Sequence, residues 1–135
     1  MSLKPLFSTS QSITITLNSL ANDAGANSSE ISNATNLFMD IDLELDLKGS
    51  NAAESGYCEI YILRANATSD ADTNENGLRV GTVTLNGTTA VHKTIRVENM
   101  PGYWTLRIVH KSSATYALDT TGNSAAFFGV NYQDI

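Results

Sequence analysis

The most regular spacing of reactive groups lies in the segment LFMDIDLELDL, residues 37–47. A carboxylate occupies every second position, at Asp40, Asp42, Glu44 and Asp46. Alternate residues of a strand lie about 6.8 Å apart on one face, so these acids form a straight row. Calcium needs about six to eight oxygens that converge on one point. A straight row does not provide that geometry, so we predict no metal site here.

The same row is a poor candidate for acid/base catalysis. The carboxylate separations that glycosidases use occur in every acidic strand, so the spacing does not identify an enzyme. A general acid also needs a pKa raised by burial. Ile41, Leu43 and Leu45 alternate with the acids, which predicts that the carboxylates point away from the core. Two interpretations stay open, a solvated strand face and a surface that contacts a partner.

A second acidic segment, residues 70–77, carries a weak calcium pattern, DADTNENG. It fits the first six positions of an EF-hand loop when Asp72 is the first residue, but Val83 then stands where the loop needs Glu. The candidate ligands would be Asp70, Asp72, Asn74 and Asn76. The composition favours a loop tip over a calcium site, and we predict no metal and no cofactor.

The residues needed for nucleophilic catalysis are scarce. Cys58 is the only cysteine, and His92 and His110 are the only histidines. Cys58 lies in an apolar run, which predicts a buried and unreactive thiol. His110 ends an inward-facing row, where a hydrogen-bonded structural role is expected. No Gly-x-Ser-x-Gly turn is present, so the sequence predicts that the protein is not an enzyme.

Tyr103 and Trp104 follow Pro101-Gly102, an arrangement compatible with a sugar-stacking platform. Trp104 is in phase with Leu106 and Ile108, so we predict that it packs in the core. Tyr103 then faces outward and is a candidate for an interface.

Strands must position all of these residues. Period-two alternation recurs along the chain, and no window of a dozen residues shows helical spacing. The predicted strands cover residues 13–17, 37–47, 57–64, 79–85, 89–97, 103–111, 116–118 and 125–132, with a long loop at 18–36. Asn86-Gly87 predicts a hairpin between the fourth and fifth of them.

This spacing of strands and turns predicts an all-β fold, an antiparallel two-sheet sandwich of jelly-roll type with seven or eight strands. Residues 12–135 would form a single domain. Residues 1–11 carry no pattern and are predicted to be an N-terminal arm that orders only against a neighbour.

The charge of the chain limits its partners. The formal net charge is -6, which argues against broad attraction to nucleic acid or to an anionic membrane. No segment approaches the roughly 20 apolar residues that span a bilayer.

The few basic residues are clustered. Half of them lie between positions 93 and 111, at Lys93, Arg96, Arg107 and Lys111. If the acidic and basic strands were neighbours in one sheet, their charges would form cross-strand pairs. We predict instead that they lie on opposite sheets, giving complementary faces that favour a ring-shaped homo-oligomer such as a trimer. The predicted interface residues are Asp40, Asp42, Glu44, Asp46, Arg96, Arg107, Lys111 and Tyr103.

A resemblance becomes visible near the C-terminus. The segment GYWTLRIV at 102–109, the small-residue stretch 114–123 and SAAFFGVNYQ at 124–133 resemble small β-sandwich virion proteins of tailed bacteriophages. The opening Ile/Thr strand with its Ala/Ser/Asn loop is also similar, so the resemblance covers most of the chain.

This resemblance implies a non-enzymatic capsid decoration or cement protein that binds the outside of a phage shell as an oligomer. Its partner would be the major capsid protein or another virion protein, and it would be made in the host cytoplasm and located in the virion. No catalytic residue is implied. The alternative function is a receptor-binding or carbohydrate-binding β-sandwich module of a phage tail or fibre.

Overall fold

A computed structural model of the chain describes residues 3–65 and 77–134. Within these ranges the chain forms ten strands and no helix. The strands are β1 (Leu3–Phe7), β2 (Gln11–Ser12), β3 (Gly25–Asn27), β4 (Ile31–Ser32), β5 (Asp40–Leu47), β6 (Tyr57–Ala65), β7 (Gly77–Thr84), β8 (Val91–Val97), β9 (Tyr103–Lys111) and β10 (Ser124–Asp134). The described residues contain no helix that is long and apolar enough to cross a membrane.

The strands form two antiparallel sheets that face each other, which confirms the predicted sandwich. The first sheet has the order β1-β10-β5-β8, with β2 also paired to β10. The second sheet has the order β3-β9-β6-β7, with β4 also paired to β9. The long strands β10, β5, β9 and β6 therefore occupy the interior positions of the two sheets.

The core lies between the two sheets and follows the period-two pattern. In β5 the aliphatic residues Ile41, Leu43 and Leu45 are buried, because successive side chains of a strand point to opposite faces. Trp104 of β9 is also buried, and its ring meets that of Phe127 edge-on, with centroids 5.2 Å apart. Its predicted place in the core is confirmed.

The predicted hairpin at Asn86-Gly87 is wrong. Strand β7 pairs with β6 in the second sheet and β8 pairs with β5 in the first, so this turn carries the chain from one sheet to the other. Gly87 has a φ of 57° and its N–H donates to the Glu54 carbonyl at 2.8 Å. Asn86-Gly87 does form a tight turn, as its composition predicts. The strands on either side of it pack in opposite sheets, which overrides the local preference for a hairpin.

The N-terminal half also differs from the prediction. The strand predicted at residues 13–17 is absent, although Ile13 and Leu17 are buried in the core. The predicted loop at 18–36 contains β3 and β4. At residues 116–118 only a single bridge forms, between Gly49 and Leu118. Short edge strands of two or three residues have too little alternation to be recognised in a sequence.

The N-terminal residues order against their own chain and not only against a neighbour. Leu3–Phe7 forms β1, which pairs with β10 from Leu3↔Asp134 to Phe7↔Val130. Strand β1 is the edge of the first sheet, and Leu3, Leu6 and Phe7 are exposed.

Candidate functional site

The residues predicted to form two complementary faces lie on both outer faces of the sandwich. Asp40, Asp42, Glu44, Asp46 and Arg96 belong to β5 and β8 of the first sheet. Tyr103, Arg107 and Lys111 belong to β9 of the second sheet. Each group alternates with buried core residues, so each points to the outer side of its sheet, where Asp40 alone of the four acids is buried.

The acidic row is paired with β8 within the first sheet. Asp42 lies opposite Arg96 and accepts hydrogen bonds from its guanidinium, the Nη2 bond measuring 3.1 Å. Glu44 lies opposite Thr94 and accepts from its hydroxyl at 2.8 Å. The prediction that the acids and Arg96 lie on opposite sheets is therefore wrong. Strand β8 is hydrogen-bonded to β5 in the first sheet, so its outward side chains lie beside the acids of β5.

His92 and Tyr132 complete this ladder. His92 Nε2 lies 2.8 Å from Glu44 and Nδ1 lies 2.9 Å from Asp46. The hydrogen bond and the negative charge of Asp46 raise the pKa of His92, and Glu44 adds to this. The hydroxyl of Tyr132 donates to Asp40 at 2.7 Å. The four acids are thus hydrogen-bonded to side chains of their own sheet.

A metal site receives no support from this surface. No cluster of three or more His, Cys, Asp or Glu side chains suited to a metal ion occurs in residues 3–65 and 77–134. The weak calcium candidate, Asp70, Asp72, Asn74 and Asn76, lies outside the residues that the structure describes.

A different arrangement occupies the outer face of the second sheet. An open groove of about 300 Å³ runs between the two central strands β6 and β9. We call it the Tyr61 groove, and it is lined by Glu59, Tyr61, Arg107, Val109 and Lys111. This volume is at the lower end of the range of small-molecule sites.

The strand register sets the order of side chains along the groove. Tyr61 lies directly opposite Arg107, and Glu59 lies opposite Val109. Tyr57 lies opposite Lys111 and is 40% exposed, which extends the groove at one end. Two tyrosines therefore each face a cation, on either side of the Glu59–Val109 pair.

Hydrogen bonds fix the polar side chains of the groove. Glu59 accepts from Arg79 Nη1 at 2.8 Å and from the Tyr61 hydroxyl at 3.3 Å. Lys111 donates to Asp23 at 3.1 Å, and this hydrogen bond raises its pKa. These contacts fix the positions of the polar side chains in the absence of a ligand.

Arg107 has a different set of neighbours. Its Nη1 donates to the side-chain oxygen of Asn27 at 2.9 Å, and its guanidinium lies over Gly25 of β3. A Cβ at Gly25 would overlap the guanidinium, so the glycine provides the space that Arg107 occupies. In the described residues no carboxylate lies within ion-pair distance of Arg107.

Part of this site is predictable from the sequence. The alternation in β9 places Arg107 and Lys111 on an outer surface, whereas Glu59, Tyr61 and Val109 were not predicted as site residues. The available signal was the alternation in β6, which sets Tyr57 and Tyr61 opposite to the buried Cys58 and Ile60. The adjacency of β6 and β9 could not be read from either strand alone. Tyr103 lies on the same face, opposite Ala65.

Two other concave regions are built differently. One, of about 390 Å³, is formed by loops at one end of the sandwich and is largely apolar, with Leu37, Phe38, Met39 and Met100 in its wall. The other, of about 540 Å³, lies between the edge strands β7 and β8 and includes Arg64, Arg79 and Arg96. Of these three regions, the Tyr61 groove is the one whose described lining combines an aromatic ring, a carboxylate and two cations on central strands.

The buried titratable groups lie away from the groove surface. His110, Glu54 and Cys58 are 0%, 2% and 0% exposed, and Cys58 lies opposite His110 in the sheet. Burial and the charge of Glu54 raise the pKa of Cys58 to about 12. The predictions of an unreactive thiol and a structural His110 agree with this environment.

The chain is similar to known proteins in its fold. No protein-family model and no curated protein sequence matches the chain. Among solved structures, it is similar to the CBM36-1 domain of a multidomain xylanase from the hindgut metagenome of Trinervitermes trinervoides. The TM-score is 0.54 and the identity 12%, over 99% of this chain and 100% of that domain.

It also matches the EclA C-terminal domain, a sugar-binding protein, with a TM-score of 0.39 and 8% identity over 98% of this chain and 79% of that one. At 12% identity, the similarity to the CBM36-1 domain shows a shared β-sandwich fold and nothing beyond the fold.

Proposed function

We propose that this protein is a non-enzymatic carbohydrate-binding module and that the Tyr61 groove holds the sugar. The observation that carries the proposal is the composition of the groove, a half-buried tyrosine ring beside charged side chains. A sugar ring has C–H faces that pack on an aromatic ring and hydroxyl edges that need hydrogen-bonding groups. The fold shared with a CBM36-1 domain supports this choice of ligand class.

The position of the groove on the sheet suits binding of a chain. Tyr57 and Tyr61 lie four residues apart on β6, a separation of roughly 13 Å at the rise of a strand. The groove is open along its length and lies on strands, which hold side chains more precisely than loops do. These features favour a polysaccharide segment over a single small sugar.

The same residues support a binding function without hydrolysis. Glycoside hydrolysis normally uses two carboxyl groups that flank the scissile bond. Among the described residues that line the groove, Glu59 is the one carboxylate, and Arg79 and Tyr61 already hold it. The other described carboxylate beside the groove, Asp23, is paired with Lys111 at 3.1 Å, so the described residues favour orienting a sugar over cleaving it.

Affinity electrophoresis through gels that contain neutral or acidic polysaccharides tests the proposal. We expect at least one polysaccharide to retard the wild-type protein, and Tyr61→Ala to abolish that retardation. Tyr132→Ala is the matched control, because Tyr132 lies on the first sheet and is 42% exposed. If no polysaccharide retards the wild type, or if Tyr61→Ala binds as well as wild type, the proposal is wrong.

A second candidate is the virion component that the sequence resemblance implies. It is favoured by the exposed edge strand β1, where Leu3, Leu6 and Phe7 present apolar side chains beside unpaired backbone groups. Such an edge could pair with a capsid protein or with another copy of this chain. Light scattering of the full chain and of a variant lacking residues 1–7 tests this second function. We expect the full chain to form a trimer and the truncated variant to dissociate.

A further inference from the structure

We propose that the saccharide bound by the Tyr61 groove is anionic, a polysaccharide with carboxylate groups such as a polyuronate, and that Arg107 binds its carboxylate. This inference rests on the proposed function and specifies its ligand class.

The chain as a whole is acidic, with a formal net charge of -6. Among the described residues, the face around the groove carries three cations, Arg79, Arg107 and Lys111, against two anions, Glu59 and Asp23. The groove is therefore a local positive region on an acidic protein. A ligand that carries negative charge complements the cations of this region.

Arg107 accounts for the excess charge. Arg79 is paired with Glu59 at 2.8 Å and Lys111 with Asp23 at 3.1 Å. Among the described residues, the side-chain partner of Arg107 is neutral, the Asn27 amide oxygen that accepts from Nη1. A guanidinium has five N–H donors, so this one bond orients the group and leaves donors for a carboxylate. Arginine and a carboxylate form a two-point hydrogen-bonded pair that lysine does not reproduce.

The position of Arg107 matches that use. It lies directly across from Tyr61, so a sugar ring stacked on the tyrosine would present its substituents to the guanidinium. Gly25 on the adjoining strand leaves room for the guanidinium to lie flat over the sheet. A uronate ring has both features that this arrangement can bind, an apolar face that stacks on Tyr61 and a carboxylate that pairs with Arg107.

The test compares two polymers that differ only in the carboxylate, polygalacturonate and its carboxyl-reduced form. We expect the wild-type protein to bind polygalacturonate at least about tenfold more tightly, the scale of one charge-assisted hydrogen-bonded pair. Arg107→Gln should remove this preference, and Arg107→Lys should restore it only in part. Lys93→Gln is the control, because it removes the same charge from an exposed position on β8.

The outcomes separate this inference from the proposed function. If the two polymers bind equally, or if Arg107→Gln keeps the preference, the ligand is not selected by its carboxylate and the inference is overturned. Loss of binding in Tyr61→Ala would still support a carbohydrate module in that case. Equal binding to poly-L-glutamate would also overturn the inference, since charge alone would then suffice. If no polysaccharide binds, the proposed function is overturned as well.

Discussion

His110 Nε2 lies 2.9 Å from Glu54 Oε1, and both side chains are buried. His110 belongs to β9, and Glu54 lies in the loop between β5 and β6. The other ring nitrogen, Nδ1, lies 3.1 Å from the Leu20 carbonyl oxygen. The second carboxylate oxygen of Glu54 accepts from the hydroxyls of Ser112 and Ser113 and from the Ser113 N–H. One buried carboxylate therefore joins strand β9, the segment after it and the loop at residue 54.

Replacing Glu54 should weaken the fold strongly. Glu54→Gln leaves His110 and two serines without their charged acceptor in a buried site, and breaking such a pair typically costs about 3 kcal/mol. Thermal and urea denaturation measure the change. Glu98→Gln, at an exposed position, is the control and should change stability by less than about 0.5 kcal/mol. Equal stability of the two variants would contradict the prediction.

Glu54 should also make stability depend on acid pH. Burial raises its pKa, but hydrogen bonds from Ser113, His110 and Ser112 outweigh this and lower the pKa from 4.5 to about 2. Because the folded-state pKa is depressed, the stabilisation is complete above about pH 4.5 and is lost as the pH falls toward 2. Urea denaturation between pH 6 and pH 2 tests this, and the slope should be smaller in Glu54→Gln.

His92 should titrate with a raised pKa that depends on Asp46. The hydrogen bond and charge of Asp46 are the main causes, with Glu44 contributing further. The stabilisation from this pairing is present below the unfolded value of 6.5 and is lost as the pH rises through the folded-state pKa. NMR titration of the two histidines measures it. Asp46→Asn should lower the pKa of His92, whereas Asp119→Asn, near Lys48, should leave it unchanged.

Cys58 should be protected from thiol reagents in the folded protein. Burial, with a contribution from Glu54, raises its pKa to about 12, and the side chain is 0% exposed. Little thiolate is then available to react at pH 8. Ellman's reagent should label the native protein far more slowly than the protein in guanidinium chloride. Rapid stoichiometric labelling of the native state would show that the strand pair opens easily.

Gly25 should matter for binding through Arg107. Gly25→Ala adds a Cβ where the guanidinium now lies, so Arg107 must move while the backbone of β3 stays extended. We expect weaker polysaccharide binding with a melting temperature close to that of wild type. Ala26→Gly, at the next position of β3, is a control that leaves the guanidinium in place. Unchanged binding in Gly25→Ala would show that the position of Arg107 is unimportant.

The sequence alone determined which residues lie inside the sandwich. Alternation in the segments that become β5 and β9 predicted their inward faces, including Trp104, because a strand turns successive side chains to opposite sides. The all-β class and the two-sheet architecture followed from the same local pattern. The inert Cys58 could also be read from its position in an apolar run.

Only the tertiary structure decided which strands are neighbours. Asn86-Gly87 has the composition of a hairpin turn, yet the strands beside it lie in different sheets. The pairing of Asp42 with Arg96 joins residues 54 positions apart in the chain, and that of Tyr61 with Arg107 depends on the contact between β6 and β9. A local pattern specifies the face on which a side chain lies, whereas strand order depends on packing between distant segments. The acidic row therefore became an internally paired ladder, and the Tyr61 groove appeared on the opposite sheet.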